Sequence, residues 1–314
     1  MFYNVENLFD IVDDPLTNDD DFTPGGFKRW TDKRYWTKLN NISKVIVAAD
    51  QQNAPDFVGL AEVENDTVLY DLTRRALLKR VGYDYLITSS NDARGIDVAL
   101  LYKKRSFRLV GQENLNVDLK PHSKGTTRQV LHAWGRVVSG DTLHLYVAHW
   151  PSRINGTKAT EVLRMCAAKT IRESVDSVLT HCTKPYIIIM GDFNETPNDE
   201  ATRRTLCAHA LDSDKDYELL SDSVLVSLMD HAAGSYCYQG KWEQLDQFVV
   251  TASFLNRTGV MELKDVQVMD AGFLLEENKV YGGKQPHRTY NGARYLNGFS
   301  DHLPIVLTFD NGTL

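Results

Sequence analysis

The sequence predicts an α/β fold in which two mixed β-sheets pack face to face with helices outside. Three observations point there. Strand-like segments come singly, in hairpins and in alternation with helices, an order that suits mixed sheets better than one doubly wound parallel sheet. The apolar, β-branched run from Tyr186 to Met190 ends in Gly191-Asp192-Phe193-Asn194, so it delivers polar groups to a strand's carboxyl end, where ligands of open α/β sheets commonly sit. At 314 residues, 42% of them hydrophobic, the chain has apolar material enough for a large core. No repeat, low-complexity run or polar linker divides it, so residues 1–314 are expected to form one domain.

The elements follow in order. Met1 to Val5 reads as a core strand, and Asp13 to Trp36 as a polar loop rich in Asp, punctuated by Pro15, Pro24, Gly25 and Gly26. Its Trp30, Tyr35 and Trp36 are expected to pack rather than bind. Leu39, Ile42, Ile46 and Ala49 recur at helical spacing, with Thr37 as the expected cap. Asp56 to Ala61 reads as a strand leading into Glu62. Leu69, Leu72, Ala76 and Leu77 support a helix over Thr67 to Lys79. Strands are then expected over Tyr83 to Thr88, Asp97 to Tyr102, Phe107 to Leu115, Gln129 to Val138 and Thr142 to His149. A long helix over Thr160 to Leu179 precedes the strand into Gly191, and a shorter helix begins near Asp199. Gln247 to Val250 and Pro304 to Phe309 read as late strands.

Bulk properties exclude some functions. No apolar run approaches the ~20 residues that span a membrane. A net charge of −7 argues against gripping nucleic acid by bulk electrostatics, though not against a divalent cation meeting a phosphate. Cys166, Cys182, Cys207 and Cys237 form no CxxC pair, so no zinc site is expected. Two disulfides would allow three pairings; free, partly buried thiols are the favoured reading. No charged segment followed by an apolar one precedes the first strand, so no signal peptide is expected in these residues. A cytoplasmic protein and an exported one trimmed of a leader both fit. A monomer is expected.

Several polar residues sit where packing does not ask for them. Asn4 ends the first strand, where an asparagine alone reads as a turn residue. Glu62 follows a buried-type strand, and glutamate is rarely buried without a partner such as a cation; Glu64 reads as a solvent or supporting group. His149 ends its strand before Trp150-Pro151-Ser152-Arg153. Asp192 and Asn194 flank Phe193 in a pattern suited to activating water beside a phosphate. Asp246 enters a strand. In Ser300-Asp301-His302-Leu303-Pro304 the adjacent Asp and His diverge and so serve different partners. The histidine needs an orienting group, and Asp246 is the candidate.

Asn4, Glu62, His149, Gly191-Asp192-Phe193-Asn194, Asp246 and Ser300-Asp301-His302-Leu303-Pro304, in that order at expected strand ends, resemble the endonuclease/exonuclease/phosphatase superfamily. It includes pancreatic-type deoxyribonuclease, apurinic endonucleases, sphingomyelinases and inositol polyphosphate 5-phosphatases. The resemblance runs from residue 3 to about 309. Trp30 to Lys44, Arg94 to Tyr102, and His149 to Arg153 further resemble a bacterial branch. The resemblance implies a four-layered, deoxyribonuclease I-like α/β sandwich and phosphate-ester hydrolysis assisted by Mg²⁺ or Mn²⁺. By the same resemblance Glu62 is the principal metal ligand, with Asn4 close by and Asp301 as a further ligand or site acid.

Asp192 then orients or deprotonates the attacking water, with Asn194 as its positioning neighbour. His302, held by Asp246, binds the scissile phosphate or shuttles a proton. His149 stabilises phosphorane-like charge or protonates the leaving oxygen. Arg128 approaches the substrate's phosphates, with Arg94 and Arg153 as further candidates. The implied activity is first a phosphodiesterase or nuclease. The alternative is a phosphatase or phosphodiesterase acting on a phosphoinositide, sphingomyelin or a soluble sugar phosphate. A non-catalytic binding module is the third reading, and it would be expected to have lost one of these residues; none is missing. The basic, tyrosine-rich segment Tyr281 to Asn297 reads either as a substrate-stacking loop or as a surface loop. The insertion at Asp13 to Trp36 is placed as its opposite wall.

Overall fold

The computed structural model describes residues 1–50, 53–120, 122–182, 184–210, 220–229, 233–256 and 260–310. The strands of its two large sheets are β1 (Phe2–Leu8), β2 (Phe57–Val63), β3 (Tyr83–Ile87), β4 (Asp97–Lys103), β5 (Phe107–Leu115), β6 (Val130–Val137), β7 (Thr142–His149), β8 (Tyr186–Asp192), β9 (Ala208–Ala210), β10 (Leu225–Ser227), β11 (Asp246–Thr251), β12 (Glu262–Val268) and β13 (Ile305–Asp310). The first sheet has the order β12-β13-β1-β2-β4-β3 and the second β5-β6-β7-β8-β11-β10-β9. Both are mixed: β1 and β2 run parallel in one, β7 and β8 in the other, among antiparallel neighbours.

Period-two alternation explains how the layers stack. On β8, Ile188 and Met190 face the first sheet, in one cluster with Phe2, Ala61, Val98 and Leu100. Ile187 and Ile189 face the other way, against Ala168, Ile171 and Val175 of the helix Thr157–His181. Strand β1 does the same, with Phe2 between the sheets and Tyr3 against Leu39, Ile42 and Ile46 of the helix Asp32–Ala48. Both faces of the central strands are thus buried, which is why they read as continuous apolar runs. The result is the expected four-layered sandwich. Gly191 permits the close approach of β7 and β8, since a Cβ there would lie 2.3 Å from the Ala148 carbonyl oxygen.

Helix α1 is Asp32–Ala48 with Thr31 at its N-cap position. It begins a turn before the expected cap, and Thr37 instead donates to the Lys33 carbonyl inside the helix. The expected helix over Thr67 to Lys79 is broken. Helix α2 covers Asp66–Tyr70, capped by the Asn65 side chain, and is followed by a wide turn over Asp71–Arg75 and a tight one over Leu77–Arg80. Extended backbone at Ala76 separates the turns and brings both Leu72 and Leu78 to the core. Helix α3 is Thr157–His181, and the helix expected near Asp199 is a single turn over Ala201–Thr205. Strands β9, β10 and β12 were not expected. The first two have three residues each, too few for a period, and β12 is largely half-exposed.

The four cysteines are free; Cys207 is exposed and the others half-buried. Trp30 and Tyr35 are buried, as expected of packing residues. Among the described residues no helix is long and apolar enough to cross a membrane.

Candidate active site

The site begins with a distorted strand pair. β1 and β2 pair with Asn4 opposite Ala61, and the register then slips before Leu8 meets Val63. Within the slip Glu6, Asn7 and Glu62 take left-handed backbone, with φ of 51°, 55° and 65°. Such conformations cost on the order of 1–3 kcal/mol each outside glycine and concentrate at functional sites. Here they re-aim side chains. The Glu62 carboxylate, inside β2 rather than beyond it, accepts the Asn7 N–H at 2.9 Å. It also takes the Arg94 guanidinium on both oxygens, at 3.3 and 3.1 Å.

The second sheet supplies most of a buried polar cluster. His149, Asp192 and Asp246 stand side by side in register at the ends of β7, β8 and β11. Asp192 Oδ2 accepts Asn4 Nδ2 at 3.0 Å, and Asp192 Oδ1 accepts the Asn194 N–H at 2.9 Å. His149 Nε2 and His302 Nε2 lie 3.6 and 3.7 Å from the same Oδ2. Asp246 Oδ2 holds His302 Nδ1 at 2.8 Å. Ser300 locks the arrangement: its hydroxyl donates to the Asn4 carbonyl at 2.7 Å and accepts the His302 N–H at 3.1 Å. The Tyr236 ring lies against the His302 ring, 4.8 Å between centroids. Asn4, His149, Asp192, Asp246 and His302 are all buried.

Electrostatics divide the two histidines. Burial and the nearby Arg128, Arg94 and His302 push His149 well below the usual histidine value, so it is neutral. Burial alone would do the same to His302, but the Asp246 and Asp192 carboxylates raise it well above that value, so it is an imidazolium. Asp192 is raised to about 6, chiefly by burial, against the lowering effect of His302. For Glu62, burial is outweighed by Arg94, and the carboxyl sits below its ordinary value. Neighbouring groups with pKa values driven apart are the pattern of acid–base sites. His149 Nδ1 and Asp246 Oδ1 are buried without a hydrogen-bond partner among the described residues, polar capacity that a core would not leave unused.

The remaining expected residues divide differently. Arg94 touches Glu62. Arg128 is buried, with its guanidinium on Asp92 Oδ2 at 3.0 Å and the Trp150 carbonyl at 2.8 Å. Arg153 bonds the Asn194 carbonyl at 2.6 Å and Glu243 at 2.8 Å. Both straighten loops around the site. Asp301 pairs with Arg288 at 3.0 Å, and Arg288 also holds Glu6. Glu6, Asn7 and Arg288 escaped the sequence reading as individual site residues. Glu6 stands two places after Asn4, a spacing that hints at a shared face, but the bulge that makes it matter has no sequence signature.

Asp192, Asp246 and His302 offer donor atoms within 4.8 Å of one another. Distance alone would admit a cation there, but the imidazolium already supplies the positive charge and spends its Nδ1 on Asp246. By donor chemistry the oxygens of Glu62, Asn4 and Asp301 would suit a hard cation better, although Arg94 takes both Glu62 oxygens and Arg288 one of Asp301 in this structure. Glu62 is a buried carboxylate already compensated by a cationic group, and Asn4 Oδ1 keeps a lone pair beyond the one taken by the Glu6 N–H at 3.0 Å.

A family model described as endonuclease/exonuclease/phosphatase family matches residues 1–311. No curated protein sequence matches the chain. Among solved structures, a mannosyl-6-phosphatase from Bacteroides thetaiotaomicron is similar with a TM-score of 0.58 at 18% identity, over 98% of this chain and 97% of that one. An endonuclease/exonuclease/phosphatase family protein from the same organism is similar with a TM-score of 0.57 at 17% identity, over 98% and 92%. D. rerio TDP2 complexed with a single-strand DNA product is similar with a TM-score of 0.54 at 16% identity, over 87% and 93%. At these identities the likeness is one of fold.

Proposed function

The chain belongs to the endonuclease/exonuclease/phosphatase family, and from that premise we propose that it is a divalent-metal-dependent hydrolase of phosphate esters. One observation carries this reading. A single carboxylate oxygen, Asp192 Oδ2, is surrounded by Asn4 of the facing sheet, a neutral histidine and an imidazolium. That is the set needed to take a proton from water on one side of phosphorus and return one on the other.

Asp192 orients the attacking water and accepts its proton as the new P–O bond forms. Asn4 on Oδ2 and the Asn194 N–H on Oδ1 fix the orientation of that carboxylate. His302, cationic and clamped by Asp246, binds the phosphoryl oxygens and gives its proton to the leaving oxygen as the old P–O bond breaks. Asp192 Oδ2 and His302 Nε2 lie 3.7 Å apart, so a water between them carries the captured proton back to His302 for the next turnover. His149, neutral, donates a hydrogen bond to the developing charge. Glu62, with Asn4 and Asp301, would hold Mg²⁺ or Mn²⁺, which when bound polarises a phosphoryl oxygen.

The fold neighbours include both a phosphatase and a protein with a DNA product, so nuclease and small-ester readings each have a precedent. The second is favoured by one feature: Arg94, Arg128, Arg153 and Arg288, the arginines around the site among the described residues, are each paired with a carboxylate, so these four are not free cations for a polyanion. The test is hydrolysis of p-nitrophenyl phosphate, bis-p-nitrophenyl phosphate and plasmid DNA with Mg²⁺, Mn²⁺ or chelator. Loss of activity with chelator and in Asp192→Asn and His302→Ala supports the reading. Equal activity in wild type and both variants overturns it.

A further inference from the structure

Six of the twelve residues from Asp10 to Asp21 are aspartates, and no lysine or arginine precedes Lys28. The loop does not turn all of these charges out to solvent. Asp19 is 2% exposed. Its Oδ2 accepts the Asp14 N–H at 3.1 Å, while its Oδ1, sealed from water, has no hydrogen-bond partner among the described residues. Asp10 is also buried, with Oδ1 on the Val12 N–H at 2.7 Å and Oδ2 on the Asn65 amide at 3.1 Å. Asp13, Asp14 and Asp20 stand exposed around Asp19. Desolvation, then the charges of Asp20, Asp19 and Asp14, push the Asp13 carboxyl up, so these four carboxylates share one field.

We propose that this loop binds Ca²⁺, with Asp19 as its buried ligand and Asp13, Asp14 and Asp20 around it. A buried carboxylate calls for a cationic partner, and no described basic side chain reaches Asp19 Oδ1. The segment holds neither histidine nor cysteine, so its donors are oxygens, which suit a hard cation rather than zinc or copper. Calcium accepts about six to eight oxygens in irregular geometry, with backbone carbonyls and water beside a few carboxylates, whereas magnesium demands a regular octahedron. An irregular loop suits the first. None of Asn4, Glu62 and Asp301 belongs to this site, which makes it distinct from the one assigned to the reaction. Its consequence reaches that one all the same. The Asn18 N–H donates to the Ala93 carbonyl at 2.8 Å, and Thr17 packs on Gly95 so closely that a Cβ there would lie 2.9 Å away. Arg94, between those two residues, holds Glu62. A cation in the loop therefore braces the turn from which Arg94 reaches Glu62.

The test is thermal melting and titration calorimetry of the whole protein, stripped with chelator, with CaCl₂ or MgCl₂ alone. Calcium at about a hundred times its Kd should raise Tm by roughly 3–5 °C, and magnesium at the same concentration should do less. Asp19→Asn removes a buried charge that lacks a partner, so without calcium it should melt no lower than wild type; its rise with calcium should be lost. Asp13→Asn, altered at an exposed side chain, should bind calcium several-fold more weakly with its folding untouched. Glu62→Gln should keep the rise. No rise in wild type, an equal rise in Asp19→Asn, unchanged binding in Asp13→Asn, or a rise abolished by Glu62→Gln would each overturn the proposal. Magnesium matching calcium would overturn the choice of cation. These readouts are binding and melting, so they decide the loop whether or not the protein hydrolyses a phosphate ester.

Discussion

Asn4 donates from Nδ2 to Asp192 Oδ2 at 3.0 Å, joining a strand of one sheet to a strand of the other. The bond fixes the Asp192 carboxylate, and it leaves Asn4 Oδ1 on the other side of the amide. An aspartate at this position would put a second carboxylate against Asp192. Asn4→Asp is therefore expected to raise the Asp192 pKa above its present value of about 6, moving the acidic limb of the kcat/KM profile to higher pH. Asn4→Ala should lower kcat by roughly 10²-fold, the scale of losing one positioning contact. A pH–rate profile of both variants checks this.

Asp246→Asn should remove the main support of the His302 cation. The His302 pKa then falls, so the proton needed by the leaving group is lost at lower pH. The alkaline limb should shift downward and kcat drop by about 10²–10⁴-fold. An unshifted alkaline limb would show that His302 is not the acid.

Arg164 and Glu195 form an ion pair at 2.8 Å with side chains 0% and 1% exposed. Glu195 also accepts the Ala201 N–H at 3.1 Å and so roots the chain just past Asn194. Glu195→Ala strands a buried guanidinium and should cost about 3–5 kcal/mol. Denaturant unfolding of the variant measures it directly.

Lys38 is buried, and its ammonium is held by Thr289 and the Phe299 carbonyl. Burial lowers its pKa to about 8 from 10.5, against the raising effect of Glu6 and Asp301. Between those values the unfolded chain binds more protons than the folded one, so stability gains from Lys38 as pH rises from 8 towards 10. The stability difference between wild type and Lys38→Met should thus grow in favour of wild type over that window, by roughly 1 kcal/mol per pH unit. Chemical denaturation at pH 7.5, 8.5 and 9.5 gives the slope; a flat difference would contradict it.

Much of the site was legible because strand ends announce themselves. Asp192 and His149 follow long apolar runs, and a polar residue there has no packing purpose. Asp246 and His302 could be paired because a histidine needs an orienting carboxylate, and the fold supplies that bond at 2.8 Å. What stayed hidden depends on backbone that no residue type declares. Glu6 and Asn7 are ordinary polar residues until a register slip turns them towards Glu62 and Arg288. Arg128 was expected to meet the substrate's phosphates, yet it is held by Asp92, 36 positions away, and such pairs are set by tertiary folding alone. The same holds for the broken helix after Tyr70, where tertiary packing of Leu72 and Leu78 overrides local helical preference.

The alignment of His149, Asp192 and Asp246 across three neighbouring strands divides the protein into separately adjustable parts. Spacing between these groups is inherited from the sheet, ~4.8 Å per strand, and no loop sets it. A cleft beside them is lined by the bulged end of β1 and the segments around Lys28 and Tyr290. On the proposed hydrolase reading, exchanging those two segments for others of similar length should alter substrate preference and leave the pH–rate profile set by Asp192 and His302 unchanged. The sheet holds the cluster's spacing, and the segments around it are free to diversify.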